Sequence, residues 1–256
     1  MKRRELIGYV GASLLTAMAS SLISKKSQAQ TAGVTIKYLG HTSFLFTGDG
    51  VQILVNPYQS LGCTAGYSLP NITPDLVLIS SQLLDEGAYD LVPGNPQVLI
   101  EPGVYDVKGI QFQGITTPHD REGGRRFGKN TVWRWSQSGV KILHLGGAAA
   151  PIELEEQILM GSPDVAFIPV GGGPKAYNPQ EALQAIQTLK PKVVIPTQYL
   201  TEAADKSTCF LVAVEEFLQL AEGMSVKVLD TNTITIKPSD LPEEGTVIRV
   251  LSYVPS

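Results

Sequence analysis

Residues 76–79 (LVLI) are a continuous apolar run, the pattern of a strand buried on both faces. The run breaks off into Ser80, Ser81 and Gln82 and soon reaches the acidic pair Asp85 and Glu86. A buried strand that delivers polar groups to one edge of a sheet is how many α/β proteins build a site. Two later runs behave alike: 164–170 ends in Gly171, Gly172 and Gly173, and 192–196 stops at Thr197, Gln198 and Tyr199.

The pattern around these runs is β-rich first and mixed later. Runs 34–39 and 43–47 alternate, Gly48-Asp49-Gly50 is a turn, and 51–55 is the returning strand. Further strands are expected at 96–101 and 109–117, and a hairpin at 132–136 and 140–145 over Ser138-Gly139. The second half reads as helix (151–160), strand, helix, strand. The second of these helices opens with an Asn178 cap, Pro179 and Glu181, and Leu183, Ile186 and Leu189 are its expected buried stripe. A helix at 210–220 and strands at 226–229 and 231–236 follow, and 247–254 is one more strand-like run. The expected division is one domain over 31–239 and a C-terminal strand or tail over 240–256, whose strand 247–254 is a possible docking edge.

Residues 1–30 read as a cleaved export signal. A basic start containing Arg3-Arg4 precedes a moderately apolar stretch, and Ser27-Gln28-Ala29 fits a cleavage site. The paired arginines followed by Leu6-Ile7 resemble a twin-arginine signal, with an ordinary secretory signal or an uncleaved anchor as alternatives. The expected location is the periplasm or an equivalent lumen, with the membrane met only during export. In such a compartment Cys63 and Cys209, the chain's two cysteines, could pair, although two free thiols remain the alternative. A net charge of −4 with no basic face excludes a nucleic-acid footprint.

Only three histidines occur, His41, His119 and His144. His119 opens the distinctive loop HDREGGRRFGKN, in which Arg125 and Arg126 could fix an anion. His41 precedes a strand in GHTSF, as a ligand-binding residue or as a histidine hydrogen-bonded to nearby backbone. His144 is expected to be a strand histidine with a satisfied ring. Asp85 and Glu86 could be ligands or an acid/base pair, or a solvated loop.

The stretches YLGHTSFLF (38–46), ILVNP (53–57), DLVLIS (75–80), HDREGGRRFGKNT (119–131), LHLGG (143–147), PDVAFIPVGG (163–172) and PKVVIPTQY (191–199) resemble the metallo-β-lactamase superfamily. They look most like its lactonase-like branch of metal-dependent hydrolases, which includes ascorbate-phosphate lactonase. The resemblance implies an α/β fold, a four-layer αββα sandwich, with the site at one edge between the sheets. It also implies water activated between two cations. At the ligand positions that the resemblance assigns, this chain has Ser81, Leu83, Asp85, Glu86, His119, Gly147 and Gln198, with Asn56 where an Asp is usual.

Two divalent cations about 4 Å apart repel by roughly 16 kcal/mol at an effective dielectric of about 20, and Gly147 supplies no carboxylate to offset that. The expectation is therefore a member that has lost the dinuclear centre. It would be non-hydrolytic, without a cofactor, and would bind a small anionic molecule or a protein partner through His41, Arg125, Arg126 and Tyr199. The alternative is a single-metal hydrolase of ester, lactone or phosphate bonds, with the metal on Asp85, Glu86, His119 and Gln198 and with His119 and Asp85 as candidate catalytic groups. That oxygen-rich set suits Mn²⁺, Mg²⁺ or Ca²⁺ better than Zn²⁺.

Overall fold

A computed structural model describes residues 33–253, so the export signal expected over 1–30 lies outside the described residues. The β-rich half supplies β1 (Val34–Gly40), β2 (Ser43–Gly48), β3 (Val51–Val55), β4 (Leu76–Leu78), β5 (Gln97–Leu99), β6 (Gly103–Val107), β7 (Ile110–Pro118), β8 (Lys129–Gln137) and β9 (Val140–His144). The mixed half supplies α1 (Leu154–Met160), β10 (Val165–Pro169), α2 (Pro179–Leu189), β11 (Val193–Thr197), α3 (Val214–Leu220), β12 (Ser225–Leu229), β13 (Thr233–Ile236) and β14 (Val247–Leu251). Among the described residues these form two sheets, ordered β13-β1-β2-β3-β4-β5 and β12-β14-β11-β10-β9-β8-β7-β6.

Alternation decides which side chains meet between the sheets. Val34, Ile36 and Tyr38 of β1 and Phe44 and Phe46 of β2 face Trp133, Trp135 and Phe167 from the other sheet. Phe46 meets Trp135 edge-on at 4.9 Å between ring centroids, and Phe44 meets Phe167 at 4.7 Å. Trp133 Nε1 donates to the Ile79 carbonyl at 2.9 Å, which fixes the end of β4 against the second sheet.

The outer face of the larger sheet is covered by the three α-helices. Asn178 caps α2 by accepting from the Glu181 amide at 2.9 Å. The buried stripe of α2 is Ala182, Ala185, Ile186 and Leu189; Leu183 is only half-buried, because at about 3.6 residues per turn it falls to one side of that stripe. The outer face of the smaller sheet buries Leu39, Leu54, Val77, Ile79 and Val92. Among the described residues no α-helix covers it. The fourth layer there is connecting chain, with single 3₁₀ turns at Gly62–Thr64 and Tyr89–Leu91.

The C-terminal run is not a loose tail or an open docking edge. β14 lies inside the larger sheet between β12 and β11, parallel to both, and Ile248, Val250 and Leu251 are buried. A separate unit over 240–256 is therefore corrected: pairing on both sides places the strand in the domain. Cys63 and Cys209 are joined in a disulfide with Cα atoms 4.7 Å apart.

Candidate metal site

The ends of β4, β9, β10 and β11 come to one edge, and polar bonds lock them there. The Ser80 amide donates to Asn56 Oδ1 at 2.9 Å, the Thr131 amide to the Ser80 carbonyl at 2.7 Å, and the Gln198 amide to the His41 carbonyl at 3.1 Å. His41, Asn56 and Gln198 all have left-handed backbone, with φ of 54°, 49° and 51°. Non-glycine residues held this way cost on the order of 1 kcal/mol or more each and gather at functional sites.

Glu86 reaches the interior because the chain doubles back over 81–87. The Glu86 and Gly87 amides both donate to the Leu83 carbonyl, at 2.9 and 2.7 Å. A Cβ at Gly87 would press on the backbone of Ser81 and Gln82, so only glycine permits this turn. The Glu86 side chain is fully buried. Its carboxylate accepts from Ser81 Oγ at 3.0 Å and from Gln198 Nε2 at 3.2 Å, and His119 Nε2 stands 3.6 Å away. Asp85 lies beside it, with His41 Nε2 at 3.5 Å and an ion pair to Lys175. One ligand atom from each of His41, Asp85 and Glu86 lies within 4.8 Å of the others.

The electrostatics of Asp85 and His119 are set by their neighbours and by burial. Burial raises the Asp85 pKa, but the nearby His41 ring and the Lys175 charge outweigh it and hold the group below the usual carboxylate range. Burial lowers the His119 pKa against the opposing pull of Glu86, so its ring is neutral at pH 7. Both ring nitrogens of His41 and of His119, and Gln198 Oε1, are buried without a hydrogen-bond partner. Buried polar atoms are normally paired, and leaving them unpaired costs roughly 1–3 kcal/mol each. Imidazole nitrogens, carboxylate oxygens and an amide oxygen with free lone pairs are the donors that a divalent cation takes, so the residues fit one.

Glu86 thus meets His119 and Gln198, and His41 comes together with Asp85 and Glu86. The solvated-loop reading of Asp85–Glu86 is corrected by the Gly87 turn. The backbone-bonded reading of His41 is corrected too, because its left-handed φ swings the ring towards Asp85. Three other residues fall elsewhere. Arg125 and Arg126 are exposed, and the Arg126 guanidinium lies over its own neighbour, the Phe127 ring, at 4.9 Å. The loop is held instead by Asp120, whose carboxylate accepts the amides of Glu122, Gly124, Arg126 and Phe127. Tyr199 is buried in the core beneath the helices with its hydroxyl towards the Leu251 carbonyl, because the residue after Gln198 points to the opposite side. His144 is a structural histidine: Nε2 lies 3.0 Å from the Thr42 carbonyl and Nδ1 accepts from the Gly146 amide at 3.1 Å.

Two residues beside the site were not among the expected site residues. Lys175 reaches Asp85 across 90 residues of sequence. Arg121 donates to the Gly173 carbonyl at 2.8 Å and the Ala176 carbonyl at 2.9 Å and pairs with Glu181, gripping the loop that presents Lys175. The available signal was the run Gly171-Gly172-Gly173-Pro174-Lys175, which reads as a turn at the site edge.

A sequence profile described as a β-lactamase superfamily domain matches residues 35–198. A metal-dependent hydrolase of the UPF0173 group from Thermococcus onnurineus is 28% identical over 193 residues, covering 66% of this chain and 85% of the relative. One from Methanopyrus kandleri is 24% identical over 233 residues, covering 80% and 97%. A solved structure from Thermotoga maritima, described as a candidate Zn-dependent hydrolase of the metallo-β-lactamase superfamily, is 28% identical and superposes with a TM-score of 0.68 over 85% of this chain and 98% of its own. These relatives correct two expectations, a non-hydrolytic member and the lack of a cofactor. The replaced ligand positions suggested a lost site, but His41, Asp85 and Glu86 bring three possible donors together.

Proposed function

The chain belongs to the β-lactamase superfamily, and on that premise we propose that it is a hydrolase using one metal ion to cleave an ester, lactone or phosphate bond. The observation that carries this is the convergence of His41, Asp85 and Glu86, with His119 Nε2 3.6 Å from Glu86 and the ring nitrogens of both histidines buried without a partner.

His41, Asp85 and Glu86 would hold the ion, with Gln198 Oε1 as a further donor and His119 beside them. The bound ion supplies Lewis acidity, polarising the bond to be cleaved and acidifying water. With His41 included, the donor set is mixed nitrogen and oxygen, which moves the preference from Mg²⁺ and Ca²⁺ towards Mn²⁺ and Zn²⁺. Lys175, paired with Asp85, opposes any cation at this site: a divalent ion about 4 Å from an ammonium is repelled by roughly 8 kcal/mol at an effective dielectric of about 20, which the carboxylates of Asp85 and Glu86 offset for one ion but not for two.

The chain's own groups account for the remaining work. His119, kept neutral by burial, accepts a proton from water at a ring nitrogen and passes it to the leaving group. Ser81 and Gln198 orient Glu86. Lys175 brings a fixed positive charge to the oxygen on which negative charge develops. The pattern over 1–30 supports twin-arginine-type export, and the Cys63–Cys209 disulfide supports an oxidising destination.

The test is metal content by mass spectrometry on purified mature chain, with titration of Mn²⁺ and Zn²⁺ into chelator-treated protein. About one equivalent, lost in His41→Ala and Glu86→Ala, is expected together with metal-dependent turnover of esters, lactones or phosphoesters. Failure to bind either ion would overturn the reading.

A further inference from the structure

A cavity of about 400 Å³ opens over the candidate metal site. His41, Lys175 and Gln198 line its polar end, and Leu83, Phe127 and Leu211 are among its apolar walls. Three large apolar side chains on its lining stand in solvent: Leu61 is 42% exposed, Leu84 51% and Phe210 81%. Single exposed apolar residues are ordinary, but three gathered around one concave site mark a place where apolar surface is to be covered. The walls are braced, because the Cys63–Cys209 disulfide ties the segment bearing Leu61 to the segment bearing Phe210. A preformed wall avoids the ordering cost that a loose one would meet on binding.

The polar end sets the chemistry of what fits. Lys175 is held in place by Arg121 on either side of it, through the Gly173 and Ala176 carbonyls. Its ammonium has three donors and Asp85 takes one, so others remain for an incoming oxygen. Asp85 and Glu86 at the same end disfavour a second anion. At roughly 30 Å³ per water-sized group, the cavity has room for about a dozen heavy atoms.

We propose that this cavity takes the apolar arm of an uncharged acyl substrate, an ester or lactone, and that Lys175 receives its carbonyl oxygen. Calling the occupant a substrate rests on the hydrolase reading; the binding itself does not.

The experiment is calorimetric titration of chelator-treated mature chain, disulfide intact, with 2-hexanone, 2-octanone and 2-decanone, which carry a carbonyl and an alkyl arm but cannot be hydrolysed. Affinity is expected to rise about fourfold per methylene, so roughly 15-fold for each step of two carbons. Phe210→Ser, a change at an exposed position, should weaken 2-decanone severalfold and leave 2-hexanone nearly unchanged. Lys175→Met should weaken all three ketones by a similar factor and keep the slope. A flat series, or a slope unaltered in Phe210→Ser, would overturn the cavity assignment, and an unchanged Lys175→Met would overturn the carbonyl contact. Because no metal is present, a flat series in a chain that binds metal and turns over esters would remove this inference alone. A steep series in a chain that binds no metal would remove only the hydrolase reading.

Discussion

The Glu86 carboxylate fills the space that a side chain at position 147 would need: a Cβ on Gly147 would lie 2.5 Å from Glu86 Oε1 and closer still to His119 Nε2. In the resembling hydrolases a bridging carboxylate is expected from that position. Here the carboxylate arrives from the neighbouring turn, and glycine makes room for it. Gly147→Ala should therefore displace Glu86 or His119. The expected result is loss of the metal equivalent with about 1–3 kcal/mol of destabilisation from overpacking, read by metal titration and thermal unfolding. Normal metal binding in this variant would show that the two positions do not compete.

Glu86→Gln keeps the shape and changes the charge. The fully buried Glu86 already has two donors aimed at it, from Ser81 and Gln198. Metal binding should fall by at least 100-fold, while chelator-treated protein stays folded with a stability change within about 2 kcal/mol, since a buried charge is exchanged for a neutral amide. Paired metal titrations and denaturant unfolding check this.

Acid should destabilise the fold through its buried histidines. Burial holds His144 at a pKa of about 3 against an ordinary 6.5, and the hydrogen bond to the Thr42 carbonyl opposes the shift only in part. The native state therefore binds fewer protons than the unfolded chain between these values, so stability is complete above pH 6.5 and falls as pH drops towards 3. Each such histidine contributes a slope of about 1.4 kcal/mol per pH unit within its window, and the depressed His119 adds to it in the same direction. Denaturant unfolding from pH 7 to 4 measures the slope. Ring-proton NMR should show His144 still neutral at pH 5.

Opening the Cys63–Cys209 disulfide frees a loop spanning 146 residues. The chain-entropy model gives a loss of about 5 kcal/mol, and mutational losses for native disulfides run from about 2 to 5. Urea unfolding with and without reductant should show a midpoint shift of that order. Reduced protein should also bind 2-decanone more weakly, because the cavity walls are no longer tied.

Arg121→Ala should uncouple Lys175 from its loop without unfolding the chain. The Arg121–Glu181 pair is partly exposed and worth little alone. The two backbone carbonyls that Arg121 satisfies matter more, since they lie on both sides of Lys175. Turnover should fall about tenfold with thermal stability shifted by only a few degrees.

Most strands were readable because apolar alternation is local, and each run from 34 to 55 needed only its own residues to be recognised. The α2 start was readable for the same reason, since Asn178 and Glu181 make their cap within one turn. Two local signals misled. The expected helix 210–220 begins only at Val214, and the strand Gly103–Val107 was passed over behind Pro102-Gly103. The latter is an edge strand, completed by its partner β7 rather than by its own pattern.

The site was readable only as a set of names. Asp85, Glu86, His119 and Gln198 stood out because their positions follow strand ends, and the fold brings His119 and Gln198 to Glu86. His41 and Lys175 took their meaning from the fold. A left-handed φ of 54° turns His41 inward, and Lys175 crosses 90 residues to reach Asp85. Position-by-position comparison with a ligand pattern assumes that each side chain keeps its old direction. It treated Gly147 as a loss, whereas in space the same glycine is the room that Glu86 occupies.

By itself the sequence determined the order of strands and helices, the family resemblance and the strand ends at which a site would form, because hydrophobic periodicity and capping act over a few residues. The tertiary structure decided which donors share one site, that Lys175 sits among them, and that a disulfide braces an apolar cavity above. Those outcomes depend on angstrom-scale distances between residues far apart in the chain, which only the packing of the two sheets can set.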